Sequence, residues 1–129
     1  MTKRETPRPT DAELEILKVL WRSGPSTVRE VFDALSGTRG TGYTTVLKLM
    51  QIMAEKGLVT RDETARAHRY KAAHEEGETQ RRLVGDLVRK AFDGSARSLV
   101  LHALSAERAS EEDLSEINRM LDALERRKR

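Results

Sequence analysis

The sequence predicts a mainly α-helical chain with one small β-hairpin. Apolar residues recur at the spacing of amphipathic helices in the first 35 residues and again after residue 75. Between these parts, over residues 42–70, a third amphipathic helix leads through Lys56-Gly57 into two short strand-like segments. A helix followed by a basic hairpin is typical of a winged helix-turn-helix. We therefore expect that domain over residues 1–73 and a separate helical region over residues 74–129.

The composition excludes several classes of protein. With 129 residues, 35% of them charged and 4% aromatic, the chain has room for one domain or a small domain with an appendage, and no large private core is expected. It has no cysteine, which excludes disulfides and thiolate chemistry. No apolar run approaches the roughly 18 residues of a membrane span, and the first residues lack the apolar core of a secretory signal. We expect a cytoplasmic protein without membrane insertion.

The positive charge is concentrated in one segment. Residues 36–73 hold seven Lys and Arg against three Asp and Glu, which gives +4, whereas residues 1–35 are neutral and residues 74–129 carry −1. This distribution is the electrostatic footprint expected when the helix and hairpin of the middle segment face DNA.

The first helix is predicted to begin after Thr10, because Thr10 and Glu13 have the spacing of a capping box. It ends at Gly24-Pro25, since proline cannot continue a helix. Ser26 is predicted to cap the second helix. The apolar residues expected on the buried faces are Leu14, Leu17, Leu20 and Trp21 in the first helix and Val28, Val31, Phe32 and Leu35 in the second.

A glycine-rich connection, residues 36–42, leads to the third helix. It is not a P-loop, because no Gly-Lys-Ser/Thr follows and no strand precedes it. We interpret it as a flexible loop whose Arg39 could contact a phosphate group.

The third helix is predicted over residues 44–56. At about 100° per residue, its inward side consists of Val46, Leu49, Met50 and Met53, and its outward side of Thr44, Lys48, Gln51 and Glu55, with Thr45 and Leu47 at the flanks. Lys48 and Gln51 are types that hydrogen-bond base edges, and the short threonines suit a phosphate or a thymine methyl group. The outward side is interpreted as a DNA-reading surface; the alternative is an ordinary solvated face.

Two strands of a hairpin are predicted after Gly57, which ends the third helix. They cover residues 58–61 and 68–71, with residues 63–67 as the turn. Arg66 and Arg69 place cations on this wing. A two-stranded hairpin is marginal alone, so we expect it to pack on the helices through Leu58 and Tyr70.

From about Glu76 onward the sequence is predicted to be helical, in three amphipathic helices that are separated near Gly94 and Ser110. The middle one, around residues 99–104, is expected to be short and heavily buried. The apolar residues expected at a dimer interface are Leu83, Leu87, Phe92, Leu99, Leu101, Leu104, Leu114, Ile117, Leu121 and Leu124. Three such helices without a fourth would expose an apolar patch, so we expect a homodimer. The alternative is that they fold back on the first helix.

No arrangement of residues indicates an enzyme, a cofactor or a metal site. A Ser-His-Asp order, a paired-carboxylate context and a nucleotide-binding loop are all missing from the sequence. His68, His74 and His102 lie far apart and lack the spacing of metal ligands. We predict a protein that is not an enzyme and uses neither a cofactor nor a metal.

The chain resembles the penicillinase repressor family (the BlaI/MecI/CopY group) of bacterial winged-helix repressors over nearly its whole length. The segments that carry the resemblance are TDAELEILKVLW from Thr10, STVREV from Ser26, YTTV from Tyr43, EKGLV from Glu55, the wing strand ending in Tyr70, and residues 94–101 with their SLVL. Single segments are common, but their order and spacing are fairly specific.

This resemblance implies a dimeric transcriptional repressor that binds a palindromic operator in double-stranded DNA. The third helix would enter the major groove and the C-terminal helices would hold the homodimer. Together with the residues chosen above, the expected DNA-binding set is Ser26, Thr27, Tyr43, Thr44, Thr45, Lys48, Gln51, Arg66 and Arg69. Ser26 and Thr27 belong to it because backbone N–H groups at a helix N-terminus can hold phosphate.

Two departures from the family limit what the resemblance implies about induction. Copper-sensing members carry Cys-x-Cys motifs, and this chain has no cysteine. Penicillin-responsive members are inactivated by proteolysis at an Asn-Phe bond, and the aligned pair here is His102-Ala103. Whether a membrane sensor protease is a partner is therefore open, as is the inducing signal.

An alternative function is a winged-helix protein-interaction adaptor that does not bind DNA directly. The concentration of positive charge in residues 36–73 favours the DNA-binding interpretation over this alternative.

Overall fold

A computed structural model describes residues 7–36 and 41–128. Its elements are α1 (Asp11–Ser23), α2 (Val28–Leu35), α3 (Tyr43–Lys56), β1 (Val59–Asp62), β2 (Arg69–Ala72), α4 (Glu76–Ala91), α5 (Ala96–Ala106) and α6 (Glu111–Arg127). The chain divides into two compact units, Met1–Leu83 and Val84–Arg129. The predicted phosphate contact Arg39 lies outside the described residues. The mainly helical fold with one hairpin is confirmed.

α1 begins with the predicted capping box. The Glu13 backbone N–H donates to Thr10 Oγ1 at 3.2 Å, and the Thr10 N–H donates to Glu13 Oε1 at 2.9 Å. The helix ends at Gly24, whose φ of +81° favours glycine. Its buried apolar residues are Ile16, Leu17, Val19 and Leu20, whereas the predicted Leu14 and Trp21 are partly buried.

The cap of α2 is Thr27, and the prediction of Ser26 was wrong. Thr27 and Glu30 form a capping box, whereas three residues after Ser26 the chain has Arg29, which cannot complete one. Ser26 instead pairs with the hairpin: its N–H donates to the Tyr70 carbonyl oxygen at 2.9 Å, and the Tyr70 N–H donates back at 2.7 Å. This long-range bridge holds Ser26 extended and buried.

α3 packs on α1 and α2 through the predicted inward face. Val46, Met50 and Met53 are fully buried, and Leu49 is partly buried. The helix begins at Tyr43, one residue before the predicted start, and Gly42 is the extended residue that precedes it. Gly57 ends the helix, as predicted, and its φ of +83° lies in the left-handed region.

The hairpin is antiparallel and pairs Val59 with Ala72 and Asp62 with Arg69. Both strands begin one residue later than predicted. Leu58 and Tyr70 are buried, which confirms that the wing packs on the helices through these two residues.

The first part of α4 belongs by its contacts to the unit that contains the hairpin, Met1–Leu83. Trp21 Nε1 donates a hydrogen bond to the His74 carbonyl oxygen at 2.9 Å. Thr79, one turn into α4, is buried. The assignment of one region to DNA binding and the other to dimerisation stays a prediction.

The second unit buries little within one chain. Gly94 and Ser110 separate its helices as predicted, and Ser110 forms a capping box with Asp113. Neither α5 nor α6 contains a buried residue. The prediction of a heavily buried middle helix is wrong for the single chain, where Leu101 is 50% exposed. Too little of the same chain packs against α5 to cover its apolar residues. None of the helices over residues 7–36 and 41–128 is long and apolar enough to cross a membrane.

Candidate nucleic-acid interface

The outward face of α3 is solvent-exposed, as the helical periodicity predicted. From its N-terminus to its middle, the helix presents five exposed side chains, those of Tyr43, Thr44, Thr45, Lys48 and Gln51. The inward residues hold the helix against the core, so this polar face turns away from α1 and α2. The arrangement offers hydroxyl, ammonium and amide groups on one side of a helix, which is the chemistry needed to contact phosphates and base edges.

The two predicted contacts before α2 differ in accessibility. The Ser26 side chain is buried and donates to the Gly24 carbonyl oxygen at 2.8 Å, while its N–H is taken by Tyr70. Ser26 is therefore unsuited to hold a phosphate, which corrects the prediction. Thr27 is partly exposed, but its N–H donates to Glu30 Oε1 at 2.8 Å. Its hydroxyl accepts the Glu30 N–H at 3.1 Å and keeps its own proton for donation.

The wing arginines are held to different degrees. Arg69 Nη1 lies 3.6 Å from Glu30 Oε1 and 3.5 Å from the Pro25 carbonyl oxygen. The hydrogen bond from the Thr27 N–H, together with the charge of Arg69, lowers the pKa of Glu30. Arg66 lies at the tip of the hairpin, is exposed, and forms no ion pair within the described residues.

The turn of the wing is ordered by Asp62. Its Oδ1 accepts hydrogen bonds from the Thr64 N–H at 3.0 Å and from the Thr64 hydroxyl at 2.7 Å. These bonds lower the pKa of Asp62. Arg61 pairs with Glu63 across 2.7 Å at the same end of the hairpin. The two acidic residues of the wing are thus occupied by groups of the wing itself.

A groove of about 330 Å³ lies between α2, α3 and the wing. It is lined by Thr27, Val28, Arg29, Tyr43, Leu47, Gln51, Arg61, Arg66, Ala67, His68 and Tyr70. Three arginines and no carboxylate line it. Arg61 is paired with Glu63, so the charges of Arg29 and Arg66 are the ones that attract an anion. Arg29 was not among the predicted contacts, because its approach to Tyr43 depends on the packing of α2 against α3.

The C-terminal end of α3 is anchored to α1 by a buried carboxylate. Lys56 Nζ contacts both carboxylate oxygens of Glu13 at 2.9 Å. Burial of Glu13 opposes its ionisation, but hydrogen bonds from Lys56 and from the Thr10 N–H outweigh this, and the pKa of Glu13 is lowered. The Glu13–Lys56 pair therefore holds the C-terminal end of α3 in place, whereas Thr44 and Thr45 lie at its N-terminal end.

The residues predicted for dimerisation are gathered in the C-terminal helices. Those that are exposed in the single chain are Leu87, Leu101, Leu104, Leu114, Leu121 and Leu124, and those partly exposed are Leu83, Phe92, Leu99 and Ile117. His102 contacts Phe92, with ring centroids 5.6 Å apart, and its Nδ1 lies 2.9 Å from the Ser98 carbonyl oxygen. Over the described part of the chain, no three His, Asp or Glu side chains are grouped so as to hold a metal ion.

Sequence comparison finds relatives along most of the chain. Residues 9–123 match the family model described as penicillinase repressor. The transcriptional regulator BlaI of Mycobacterium tuberculosis is 37% identical over 117 residues, which cover 89% of this chain and 83% of that protein. The penicillinase repressor of Bacillus licheniformis is 25% identical over 126 residues, which cover 98% of each chain.

Two solved structures share the fold of the N-terminal part. The solution structure of the DNA-binding domain of the repressor BlaI is 26% identical, with a TM-score of 0.52 over 59% of this chain and 93% of that one. The Bacillus licheniformis BlaI monomeric form in complex with the blaP half-operator is 27% identical, with a TM-score of 0.51 over 57% and 90%. The winged helix-turn-helix prediction is confirmed, and the chain belongs to the penicillinase repressor family.

Proposed function

We propose that this protein is a bacterial transcriptional repressor that binds double-stranded operator DNA. The observation that carries the proposal is the exposed polar face of α3, flanked by a basic wing, on the fold of a BlaI domain whose structure was solved with half-operator DNA. Family membership supports the same conclusion, because the relatives are named as repressors and transcriptional regulators. The protein would act without catalysis, in the cytoplasm, by occluding a promoter.

In this proposal α3 lies in the major groove. Its 14 residues span about 21 Å at 1.5 Å per residue, and the major groove, about 12 Å wide, accommodates a helix. Lys48 and Gln51 would read base edges from the middle of the helix. Thr44 and Thr45, near its N-terminus, would contact a phosphate or a thymine methyl group. Tyr43 and Thr27 would lie at the edge of the contact surface.

The wing would contact the DNA backbone beside the groove that α3 occupies. Arg66 and Arg69 supply positive charge on the hairpin without reading bases. Such contacts fix the register of a protein on the duplex and make binding depend on salt.

A homodimer completes the proposed repressor. The exposed leucines of α5 and α6 support it, because apolar faces of this extent are rarely left in water. Two copies of α3 would then meet successive major grooves about 34–36 Å apart, so the operator would be a palindrome. The pair His102-Ala103 lies within α5 and stands where the resemblance places an Asn-Phe bond, so release by a membrane sensor protease is not part of the proposal.

The test is selection of DNA by the full-length protein from a pool of random duplexes, followed by footprinting of the recovered sequence. We expect a palindromic duplex that the protein binds with a Kd of about 10⁻⁸ M or below, at least 10³-fold tighter than a scrambled duplex at the same salt. The variant in which Lys48 and Gln51 are both alanine should lose this preference. Recovery of no preferred duplex would contradict the proposal and favour the protein-interaction adaptor.

A further inference from the structure

Arg29, in the first turn of α2, is held against two aromatic rings. Its Cζ atom lies 4.9 Å from the ring centroid of Tyr43 and 5.7 Å from that of Phe32. The two rings contact each other edge to face, with centroids 5.7 Å apart. Tyr43 is the first residue of α3, so this cluster joins the start of α2 to the start of the exposed helix.

The charge of Arg29 is not neutralised by a carboxylate among the described residues. Glu30, its neighbour in sequence, contacts Thr27 and Arg69 instead. Glu63, on the wing, contacts Arg61. Arg29 is exposed and lines the groove that also contains Gln51 and Arg66. Since no Asp or Glu lines that groove, the ligand that suits it is an anion.

A guanidinium that stacks on an aromatic ring does so through its planar face, and its five N–H donors project in the plane, away from the ring. Arg29 is exposed, so donors in that arrangement are accessible to a ligand. A guanidinium that is already oriented loses less freedom when it binds an anion, and two parallel N–H donors match two phosphate oxygens. The position on α2 favours a backbone phosphate over a base, because in helix-turn-helix proteins the helix before the recognition helix crosses the backbone.

We propose that Arg29 contacts a DNA phosphate and that Tyr43 is a positioning residue that orients its guanidinium through the ring face. The inference rests on the proposed function, because it requires that α3 faces DNA. It adds a contact on α2 to those of α3 and the wing, and it gives Tyr43 a role that does not depend on its hydroxyl group.

The experiment measures binding of the full-length protein to two fluorescent duplexes, the selected palindrome and a scrambled sequence of equal length, at several salt concentrations. Arg29→Ala should weaken binding to both duplexes by a similar factor of about ten and lower the salt slope by about 1 per bound half-site. Arg29→Lys keeps the charge but not the planar donors, so its loss should be smaller. Arg22→Ala, which removes an exposed arginine of α1 outside the groove, is the matched control and should leave the slope unchanged.

Tyr43 variants test the positioning role. Tyr43→Leu removes the ring and should weaken binding about two- to fivefold, whereas Tyr43→Phe keeps the ring and should lose clearly less than Tyr43→Leu. In the Arg29→Ala background, Tyr43→Leu should cause no further loss, since the two residues act as one unit. Thermal unfolding of each variant identifies any that is not folded, and Arg29→Lys keeps the test informative if Arg29→Ala is unstable.

The outcomes separate this inference from the proposed function. If the native protein prefers the palindrome but Arg29→Ala behaves as Arg22→Ala does, the phosphate contact is overturned and the repressor function stands. A loss confined to the palindrome would also overturn it, because Arg29 would then read a base. If the native protein shows no preference for either duplex, the proposed function itself fails.

Discussion

The Nζ atom of Lys56 lies 2.9 Å from both carboxylate oxygens of Glu13, and so joins the last turn of α3 to the first turn of α1. Glu13 is 2% exposed, whereas the Lys56 side chain is 28% exposed. The same carboxylate accepts the Thr10 N–H and completes the cap of α1. One side chain therefore stabilises the start of one helix and holds the end of the helix that is proposed to enter DNA.

Glu13→Gln should lower the free energy of unfolding by about 1–3 kcal/mol at pH 7. Glutamine can still accept the Thr10 N–H as part of a capping box, so the loss reports mainly on the charged contact with Lys56. Urea denaturation at a fixed protein concentration measures it. Glu15→Gln is the control, because the contact of Glu15 with Lys18 is exposed and should contribute less than about 1 kcal/mol. Equal losses in the two variants would contradict the special role of Glu13.

The same residue should make stability depend on pH in the acidic range. The native pKa of Glu13 is lowered from its ordinary value of 4.5. Its contribution is therefore complete above about pH 4.5, where the unfolded state is also ionised, and is lost as the pH falls from there through the native pKa. The unfolding free energy of the native protein should fall more steeply below about pH 5 than that of Glu13→Gln. Parallel curves for the two proteins would exclude this titration.

The features that the sequence predicted well are those set by nearby residues. The capping box of Thr10, the end of α3 at Gly57 and the two faces of α3 follow from residue types and spacings within a few positions. The features that were missed depend on contacts between distant segments. Ser26 does not cap α2, because its backbone pairs with Tyr70.

The same distinction holds for the candidate site. The outward residues of α3 could be chosen from the helical period alone. The Glu13–Lys56 pair and the Arg29–Tyr43 contact could not, since each needs the packing of two helices to be known. The exposure of α5 was missed for a related reason, because an apolar pattern does not indicate whether the covering surface lies in the same chain.

Lys48→Ala should weaken binding to the selected operator by about 1–3 kcal/mol if Lys48 reads a base. The loss should be much smaller for a duplex in which that base pair is already changed, because the contact is then absent in the native protein too. A panel of single-base variants of the operator, titrated with both proteins, identifies the pair. Lys90→Ala, which removes an exposed lysine of α4, controls for the loss of charge. Unchanged operator binding by Lys48→Ala would remove the residue from the interface.

The two wing arginines should contribute unequally to the salt dependence of binding. Arg66→Ala should lower the salt slope by about 1 per half-site, because its guanidinium is not held by a carboxylate among the described residues. Arg69→Ala should lower it less, since Arg69 lies 3.6 Å from Glu30 and is already partly neutralised. Titrations between about 50 and 200 mM salt with a scrambled duplex measure both slopes. Arg119→Ala in α6 is the control and should keep the native salt slope. If the wing lies outside the interface, the Arg66→Ala and Arg69→Ala variants will also keep the native slope.

A charge placed on the exposed leucines of the C-terminal helices should dissociate the proposed dimer without unfolding the N-terminal domain. Leu101 and Leu121 are 50% and 51% exposed in the single chain, so replacing both by glutamate should disturb little of the packing within one chain. In a dimer the same charges would be buried against an apolar partner surface, at a cost of several kcal/mol. We therefore expect analytical ultracentrifugation of the double variant to give the monomer mass of 14.6 kDa.

DNA binding gives a second measurement. The double variant should bind the palindrome more weakly than the native protein does, while its binding to an isolated half-site persists. Asn118→Glu, which adds one charge to a polar exposed position of α6, is the control. If the double variant kept the oligomeric state of the native protein and instead lost thermal stability, these leucines would be packed within one chain.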